Sequence, residues 1–261
     1  MTPRHIIVRM SANVDKLTRK QREFAQREQL ILDTAQEMLH QHGFAQLTME
    51  RVAEAVEYSK GTIYNHFSSK EDLVCSLCCR CVSNLIDLFK RAYDYPGSTR
   101  ERFSAIGIAY TLYHQLNPLD AQNIQVVKTN AVREKLSEEK LQEMSALEHE
   151  ITQLCMDLVH EAIETGDIKA SDKHTADTIV FGFWSMLYGG MLLAQSDIPL
   201  DDLGFSPVIL MLWNNAQHLM DAWEWQPLCK DTDTDALFKH LCSALFAEEV
   251  CKLTQGENHH G

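Results

Sequence analysis

Residues 48–67, TMERVAEAVEYSKGTIYNHF, constrain the fold of this chain more than any other segment. They predict two short helices joined by a tight turn. Thr48 and Ser59 are each placed to N-cap one of these helices, because a hydroxyl oxygen accepts a backbone N–H of the first helical turn. Ile63 and Phe67 are four residues apart, which puts them on one face and predicts the buried side of the second helix.

The second of these helices is too short and too polar to form for packing alone. Its remaining residues are small, polar or basic and are predicted to face solvent: Lys60, Gly61, Thr62, Tyr64, Asn65 and His66. Such a helix is suited to entering the major groove of DNA, as the second helix of a helix-turn-helix does. The segment therefore predicts a helix-turn-helix.

Residues 30–73 resemble the DNA-binding domain of the TetR (tetracycline-repressor-like) family. The shared pattern is LILDTAQEMLHQHGFAQLTMERVAEAV followed by SKGTIYNHFSSKEDL. It combines a helix end at Gly43 and Phe44, the capping Thr48, the SKGTIYNHF recognition helix and an SKEDL exit. The resemblance implies an all-α chain, with an N-terminal three-helix helix-turn-helix domain and a larger helical ligand-binding and dimerisation domain.

Glu57 departs from the family pattern, which usually has Gly at this point of the turn. Glycine adopts positive φ without steric cost, whereas another residue in the left-handed region is strained by roughly 1 kcal/mol or more. We therefore expect either a different turn backbone or a strained Glu57.

The helix-turn-helix, together with the resemblance, assigns DNA contacts to individual side chains. Base edges are assigned to Lys60, Gly61, Thr62 and Asn65, with Lys60 directed to guanine O6 or N7. Contacts with the phosphates, which set the register on the duplex, are assigned to Thr48, Tyr64, His66 and Lys70.

The charge distribution is compatible with this assignment. The net charge is −13, but residues 1–72 hold 10 Lys/Arg and 10 Asp/Glu, so the acidic excess (14 Lys/Arg against 27 Asp/Glu) lies in residues 73–261. Residues 1–27 hold seven basic and two acidic residues, and 1–15 are predicted to be a flexible basic arm. A basic arm before a neutral helix-turn-helix, with the acidic part elsewhere, suits a DNA-binding protein.

The predicted domains are 16–70 for DNA binding and 71–254 for regulation and dimerisation, with a disordered tail at 255–261. Within the second domain, residues 173–195 and 206–224 are apolar over most of their circumference, so they require burial on several sides. The resemblance implies that these two helices of each chain form a four-helix bundle in a homodimer.

The resemblance also implies a homodimeric repressor that binds a palindromic operator and is released by a small-molecule effector. The effector would occupy a pocket in the helical body. The candidate residues for this pocket are Tyr110, Tyr113, His114, Phe181, Trp184 and Tyr188. Regulation by a protein partner, or activation in place of repression, is an open alternative.

Four cysteines lie close together at Cys75, Cys78, Cys79 and Cys81. They are interpreted either as small apolar core residues of a cytosolic protein or as a thiol-based redox or metal sensor. The other cysteines are isolated, and no cofactor or metal site is predicted.

The sequence argues against an enzyme, a membrane protein and a secreted protein. The chain has no G-x-S-x-G, Walker A, G-x-G-x-x-G or HExxH motif, which argues against an enzyme. No apolar run approaches the roughly 20 residues of a membrane span, and no signal peptide is recognised. The expected location is the cytoplasm.

Overall fold

The computed structural model describes residues 18–169, 171, 175–205 and 207–257. The predicted basic arm, residues 1–15, lies outside the described residues. The all-α fold class is confirmed, because the described part of the chain is built from helices. These are α1 (Arg19–Gln46), α2 (Met49–Ala55), α3 (Lys60–Tyr64), α4 (Lys70–Tyr93), α5 (Thr99–Leu116), α6 (Pro118–Lys128), α7 (Asn130–Arg133), α8 (Glu138–Glu164), α9 (Ala176–Ala194), α10 (Val208–Ala222), α11 (Thr234–Leu245) and α12 (Ala247–Glu257).

The chain forms two compact units. Unit 1 is the chain up to Ser83 together with Leu119–Leu147, and unit 2 is Asn84–Pro118 together with the chain from Glu148 onward. This division differs from the predicted boundary at residue 70, because α6, α7 and the first parts of α4 and α8 group with the helix-turn-helix. At the C-terminus, α12 continues to Glu257, so the first three residues of the predicted disordered tail are helical.

In unit 1, α1 begins after Thr18, whose hydroxyl accepts the backbone N–H of Gln21 in a capping box. Gly43 has φ 72° and interrupts the helix at the predicted position, and the chain resumes helical turns as far as Gln46. The positive φ explains why glycine is suited to this point.

Unit 1 is stabilised by an apolar core and by polar contacts at the edge of that core. Fully buried side chains come from all four of its first helices, among them Ile31, Ala35, Val52, Ile63 and Leu73. At its edge, the Arg80 guanidinium donates to Asp33 and to Gln36 of α1, each at 2.6 Å. These long-range contacts explain why the first part of α4 belongs to the same unit as α1.

Unit 2 is organised around α5, which begins in a capping box between Ser98 and Glu101 and is buried over most of its length. It contacts α9, α10, α11 and α12. Phe103 of α5 packs against Phe183 and Trp225 with ring centroids 4.5 and 4.8 Å apart. Aromatic pairs in this range stabilise a core beyond the burial of their area.

An ion pair between the buried Arg100 and the partly exposed Asp221 closes one end of unit 2. The guanidinium of Arg100 donates to the Asp221 carboxylate at 2.7 Å and to the carbonyl oxygen of Gln217 at 3.0 Å. The Asp221 carboxylate also accepts the backbone N–H of Cys229 at 3.0 Å. Buried charges persist when they are paired and hydrogen-bonded in this way.

Among the residues that the structure describes, one helix, α9, is long and apolar enough to cross a membrane, which revises the expectation that no segment meets this criterion. A core helix of a water-soluble protein can have the same length and apolar composition. In unit 2, α9 contacts α5 and α10, and 33% of its apolar window is buried. The remaining apolar surface of α9 is described with the candidate site.

The four clustered cysteines are core residues of α4, with exposures of 5% or less. Burial raises the pKa of Cys78 well above its ordinary value. Within the described ranges, no group of three or more His, Cys, Asp or Glu side chains could hold a metal ion. The burial of all four side chains agrees with the packing interpretation of the cluster.

Candidate nucleic-acid interface

The helix-turn-helix has the two capped helices that the sequence predicts. The Thr48 hydroxyl accepts the backbone N–H of Arg51 at 3.2 Å at the start of α2. The Ser59 hydroxyl accepts the backbone N–H of Thr62 at 3.1 Å at the start of α3. Each cap satisfies an N–H that has no partner within its own helix. The regular part of α3 is five residues long, shorter than the predicted 60–67, and Asn65 and His66 follow it as a turn.

The turn between α2 and α3 passes through Glu57 in the left-handed conformation, with φ 55°. Of the two expectations for this residue, the strained one is observed. The backbone N–H of Tyr58 donates to the carbonyl oxygen of Ala53 at 3.0 Å, which closes the turn. The geometry that glycine usually supplies in this family is therefore adopted here by glutamate.

The predicted inner and outer faces of α3 are largely confirmed. Ile63 and Phe67 are buried, at 0% and 2% exposure. Lys60, Gly61, Tyr64 and Asn65 are exposed, and Thr62 is half-buried. The Tyr64 ring is 44% exposed, and the Lys60 ammonium lies 5.8 Å from its centroid.

His66 does not face solvent as expected. Its side chain is only 2% exposed and stacks on Phe24 of α1, with ring centroids 3.9 Å apart. Its Nδ1 lies 3.5 Å from the Glu28 carboxylate. The expectation failed because the direction of this side chain depends on α1, which is some forty residues away along the chain.

Lys70, also assigned to phosphate, is part-buried against the end of α1. Its ammonium donates to the carbonyl oxygen of Phe44 at 2.9 Å and lies 4.0 Å from the centroid of the Phe44 ring. This contact joins the end of α1 to the start of α4. A contact of Lys70 with phosphate stays a prediction.

Sequence reasoning missed Glu50, an exposed acid of α2 that forms an ion pair with Lys60 of α3. The Lys60 hydrogen bond lowers the pKa of Glu50, and the same bond raises the pKa of Lys60. The two residues are ten positions apart on different helices, so no helical spacing indicates their contact. The signal that the sequence offered was the presence of an acid, Glu50, in the same helix-turn-helix as Lys60, the lysine predicted to contact a base.

The six residues predicted for the effector pocket differ in their exposure to solvent. Tyr110, Tyr113 and His114 are buried on α5, and burial raises the pKa of Tyr110. Phe181 and Trp184 are 66% and 49% exposed on α9. The opposite face of α9, with Phe183 and Leu187, is the one that packs into unit 2, and a role of Phe181 and Trp184 in an effector pocket stays a prediction.

Unit 2 contains a cavity of ≈ 180 Å³ at the buried Arg100. Sequence reasoning did not find this cavity, because its walls come from segments distant in sequence and its polar residues belong to no motif. It is lined by Ser98, Arg100, Glu101, Gln217, Pro227, Cys229, Thr232, Thr234 and Leu237. None of the six predicted residues is among them.

An all-α fold that presents a capped helix-turn-helix with an exposed second helix is typical of DNA-binding regulatory proteins. Residues 31–77 match the family model for bacterial regulatory proteins of the tetR family. The predicted resemblance to the TetR family is thereby confirmed for this region of the chain. This family consists of regulators and not of enzymes, in agreement with the motif analysis.

A curated relative gives the same assignment for this region. The chain is 40% identical over 55 residues to the HTH-type transcriptional repressor AcnR of Corynebacterium diphtheriae. The match covers 21% of this chain and 29% of AcnR, so the chain spans less than a third of the length of that relative. The similarity therefore describes the DNA-binding region.

Solved structures extend the similarity in fold to most of the chain. A putative transcriptional regulator from Pseudomonas aeruginosa PAO1 aligns over 80% of this chain and 93% of its own, with a TM-score of 0.62 and 19% identity. A bacterial regulatory protein of the tetR family from Rhodococcus RHA1 aligns over 75% and 96%, with a TM-score of 0.57 and 17% identity. At these identities the likeness is one of fold.

Proposed function

We propose that this protein is a transcriptional repressor that binds a palindromic operator as a homodimer and is released from it by a small-molecule effector. The observation that carries the proposal is the exposed polar face of α3. Lys60, Tyr64 and Asn65 project from a helix whose other side is fixed in the core by Ile63 and Phe67. A rigid support of this kind positions side chains for base recognition.

The proposed DNA contacts follow the exposure of the side chains. Lys60, Gly61, Thr62 and Asn65 face base edges, and Thr48 and Tyr64 contact phosphates. Lys70 contributes its charge at the edge of the interface, from its place beside Phe44. His66 supports α3 from behind and makes no contact with DNA in this proposal.

The homodimer is supported by the apolar surface that unit 2 leaves exposed. Eight large apolar side chains on α9, α10 and the connection between them have exposures between 39% and 66%. This α9–α10 apolar surface consists of Phe181, Trp184, Leu192, Leu193, Ile198, Leu203, Phe205 and Leu210. A large exposed apolar surface marks an interaction site, and a second copy covers it in a self-complementary two-fold contact.

Release by an effector is supported by the family resemblance and by the cavity at Arg100. Its volume of ≈ 180 Å³ is near the roughly 150 Å³ of an engineered cavity that admits benzene, which favours a small effector. Tyr110, Tyr113, His114 and Tyr188 do not line this cavity, and their contact with an effector stays a prediction from the sequence. We reassign Phe181 and Trp184 to the dimer surface. A regulator of this kind acts in the cytoplasm, where the chromosome is.

The test is selection of binding sites from a random-sequence DNA library with the purified full chain. We expect enrichment of a two-fold symmetric motif. Tyr64→Ala weakens binding to all sequences, whereas Lys60→Ala weakens it and relaxes preference at one position of each half-site. Lys230→Ala, at an exposed lysine of unit 2, is the matched control and leaves binding unchanged. If no motif is enriched, the proposed function is wrong.

A further inference from the structure

The ion pair between Glu50 and Lys60 lies on the surface that is proposed to face DNA. Lys60 is the first residue of α3, and Glu50 belongs to the first turn of α2. Both side chains are about half exposed, at 56% for Lys60 and 52% for Glu50, so neither is committed to the core. The pair therefore presents an ammonium donor beside a carboxylate acceptor to whatever approaches α3.

A carboxylate in this place requires an explanation. DNA is a polyanion, and an acid at its surface opposes binding to every sequence. It also neutralises the charge of Lys60, which the interface would otherwise use. An acid that lowers general affinity is compatible with a DNA-binding surface if it adds discrimination between sequences.

The edge of a G·C base pair in the major groove is complementary to such a pair. Guanine presents two acceptors, N7 and O6, and cytosine presents the N4 amino donor directly beside them. An ammonium next to a carboxylate meets this pattern with a donor on guanine and an acceptor on cytosine. At an A·T pair, with adenine in the place of guanine, the carboxylate meets the O4 acceptor of thymine and the ammonium meets the N6 amino donor of adenine, which leaves a mismatch. A T·A pair keeps the acceptor–donor order through thymine O4 and adenine N6 but lacks the second acceptor that guanine N7 supplies.

We propose that Glu50 and Lys60 act together to read one G·C base pair in each half-site. Lys60 donates to guanine O6 or N7, and Glu50 accepts a hydrogen bond from the N4 amino group of cytosine. Glu50 is thus a specificity-determining residue. This inference rests on the proposed function, because it requires α3 to lie in the major groove.

Glu50 and Lys60 acting together discriminate more than Lys60 alone. A lysine without its acid partner donates equally well to guanine N7 and to adenine N7, since both are acceptors in the major groove. The carboxylate removes this ambiguity, because it is repelled by thymine O4 in an A·T pair and accepts a hydrogen bond from cytosine N4 in a G·C pair. Removal of Glu50 should therefore broaden the recognised sequence and strengthen binding in general.

The first part of the experiment measures binding of the purified full chain to its selected site and to the same site with each G·C pair replaced by A·T. At one position per half-site we expect the wild type to lose about tenfold in affinity on this replacement. In Glu50→Ala the loss at that position falls to threefold or less, and the affinity for unrelated DNA rises. Glu54→Gln, at another exposed acid of α2, is the control and keeps the wild-type pattern.

The second part separates base reading from a merely structural role of the ion pair. The double variant Glu50→Lys with Lys60→Glu keeps an ion pair between α2 and α3 but exchanges the donor and the acceptor. If the pair reads the base edge, the preference at that position inverts from G·C to C·G. If the pair only holds the helices together, the double variant keeps the wild-type preference, and the inference is overturned.

The remaining outcomes distinguish this inference from the proposed function. An unchanged preference at every position in Glu50→Ala overturns the inference while the regulator assignment stands. A wild type that selects no DNA motif refutes the proposed function and this inference with it. Thermal unfolding of each variant, expected to match the wild type, confirms that the binding data describe folded protein.

Discussion

His66 stacks on Phe24 with their ring centroids 3.9 Å apart, and this contact fastens the end of the helix-turn-helix to α1. The Nδ1 of His66 lies 3.5 Å from the Glu28 carboxylate on the same helix. A residue whose sequence position indicates a DNA contact thus supports the fold from the opposite side. Tyr64, two residues earlier, is 44% exposed on the outer face of α3.

His66→Ala is therefore expected to reduce the free energy of unfolding by about 1 kcal/mol, the size of an aromatic contact. Tyr64→Ala should change that free energy by less than about 0.5 kcal/mol, as surface substitutions do, while weakening DNA binding. Urea denaturation and a DNA-binding titration on both variants measure the two effects. A stable His66→Ala protein with lost DNA affinity would contradict this division of roles.

Glu57→Gly is expected to stabilise the protein by about 1 kcal/mol, because glutamate at φ 55° carries strain that glycine does not. Part of this gain is offset by the greater freedom of glycine in the unfolded chain. Glu57→Ala is the control, since it removes the carboxylate and keeps the strain. If both variants gain stability equally, the charge of Glu57 and not its backbone is the cause.

Asp221→Asn is expected to cost about 2 kcal/mol at pH 7, since it weakens hydrogen bonds to a buried charged group. Partial burial acts to raise the pKa of Asp221, but hydrogen bonds from Arg100 and from the Cys229 backbone outweigh it, so the pKa is lowered from 3.8. A lowered carboxyl pKa contributes stability that is complete above the unfolded value and is lost as the pH falls through the folded value.

The difference between wild type and Asp221→Asn should therefore be constant above about pH 5 and shrink below pH 3.8. Chemical denaturation at a series of pH values from 7 to 3 measures it. Asp202→Asn, at an exposed acid, is the control and should run parallel to the wild type at every pH. If the difference in the free energy of unfolding does not change with pH, the charge of the Asp221 carboxylate does not contribute to stability.

Phe181→Glu is expected to convert a homodimer into a monomer, because it places a charge at the 66% exposed side chain of the α9–α10 apolar surface. Sedimentation at micromolar concentration measures the mass. Leu30→Glu, at another exposed apolar residue but on α1, should leave the mass unchanged. Wild-type protein that sediments as a monomer would refute the proposed interface.

The local structure of the helix-turn-helix could be predicted because it depends on neighbouring residues. Thr48 and Ser59 cap their helices through backbone groups three residues away, and Ile63 and Phe67 share a face through the helical repeat. Gly43 interrupts α1 by its own conformational freedom. The family pattern records the same local relationships, so the class of protein followed from a short segment.

The sequence by itself determined the helices, their caps and which helix, α3, is the second helix of the helix-turn-helix, because each of these is encoded within one or two helical turns. Only the tertiary structure decided which side chains are free to meet DNA. In the structure His66 stacks on Phe24, and the Lys70 ammonium lies over the Phe44 ring. Lys60 forms an ion pair with Glu50, and Phe181 is exposed to solvent. Each of these depends on how the helices pack against one another. A local sequence pattern describes only residues within one or two helical turns, so it does not indicate contacts with another helix.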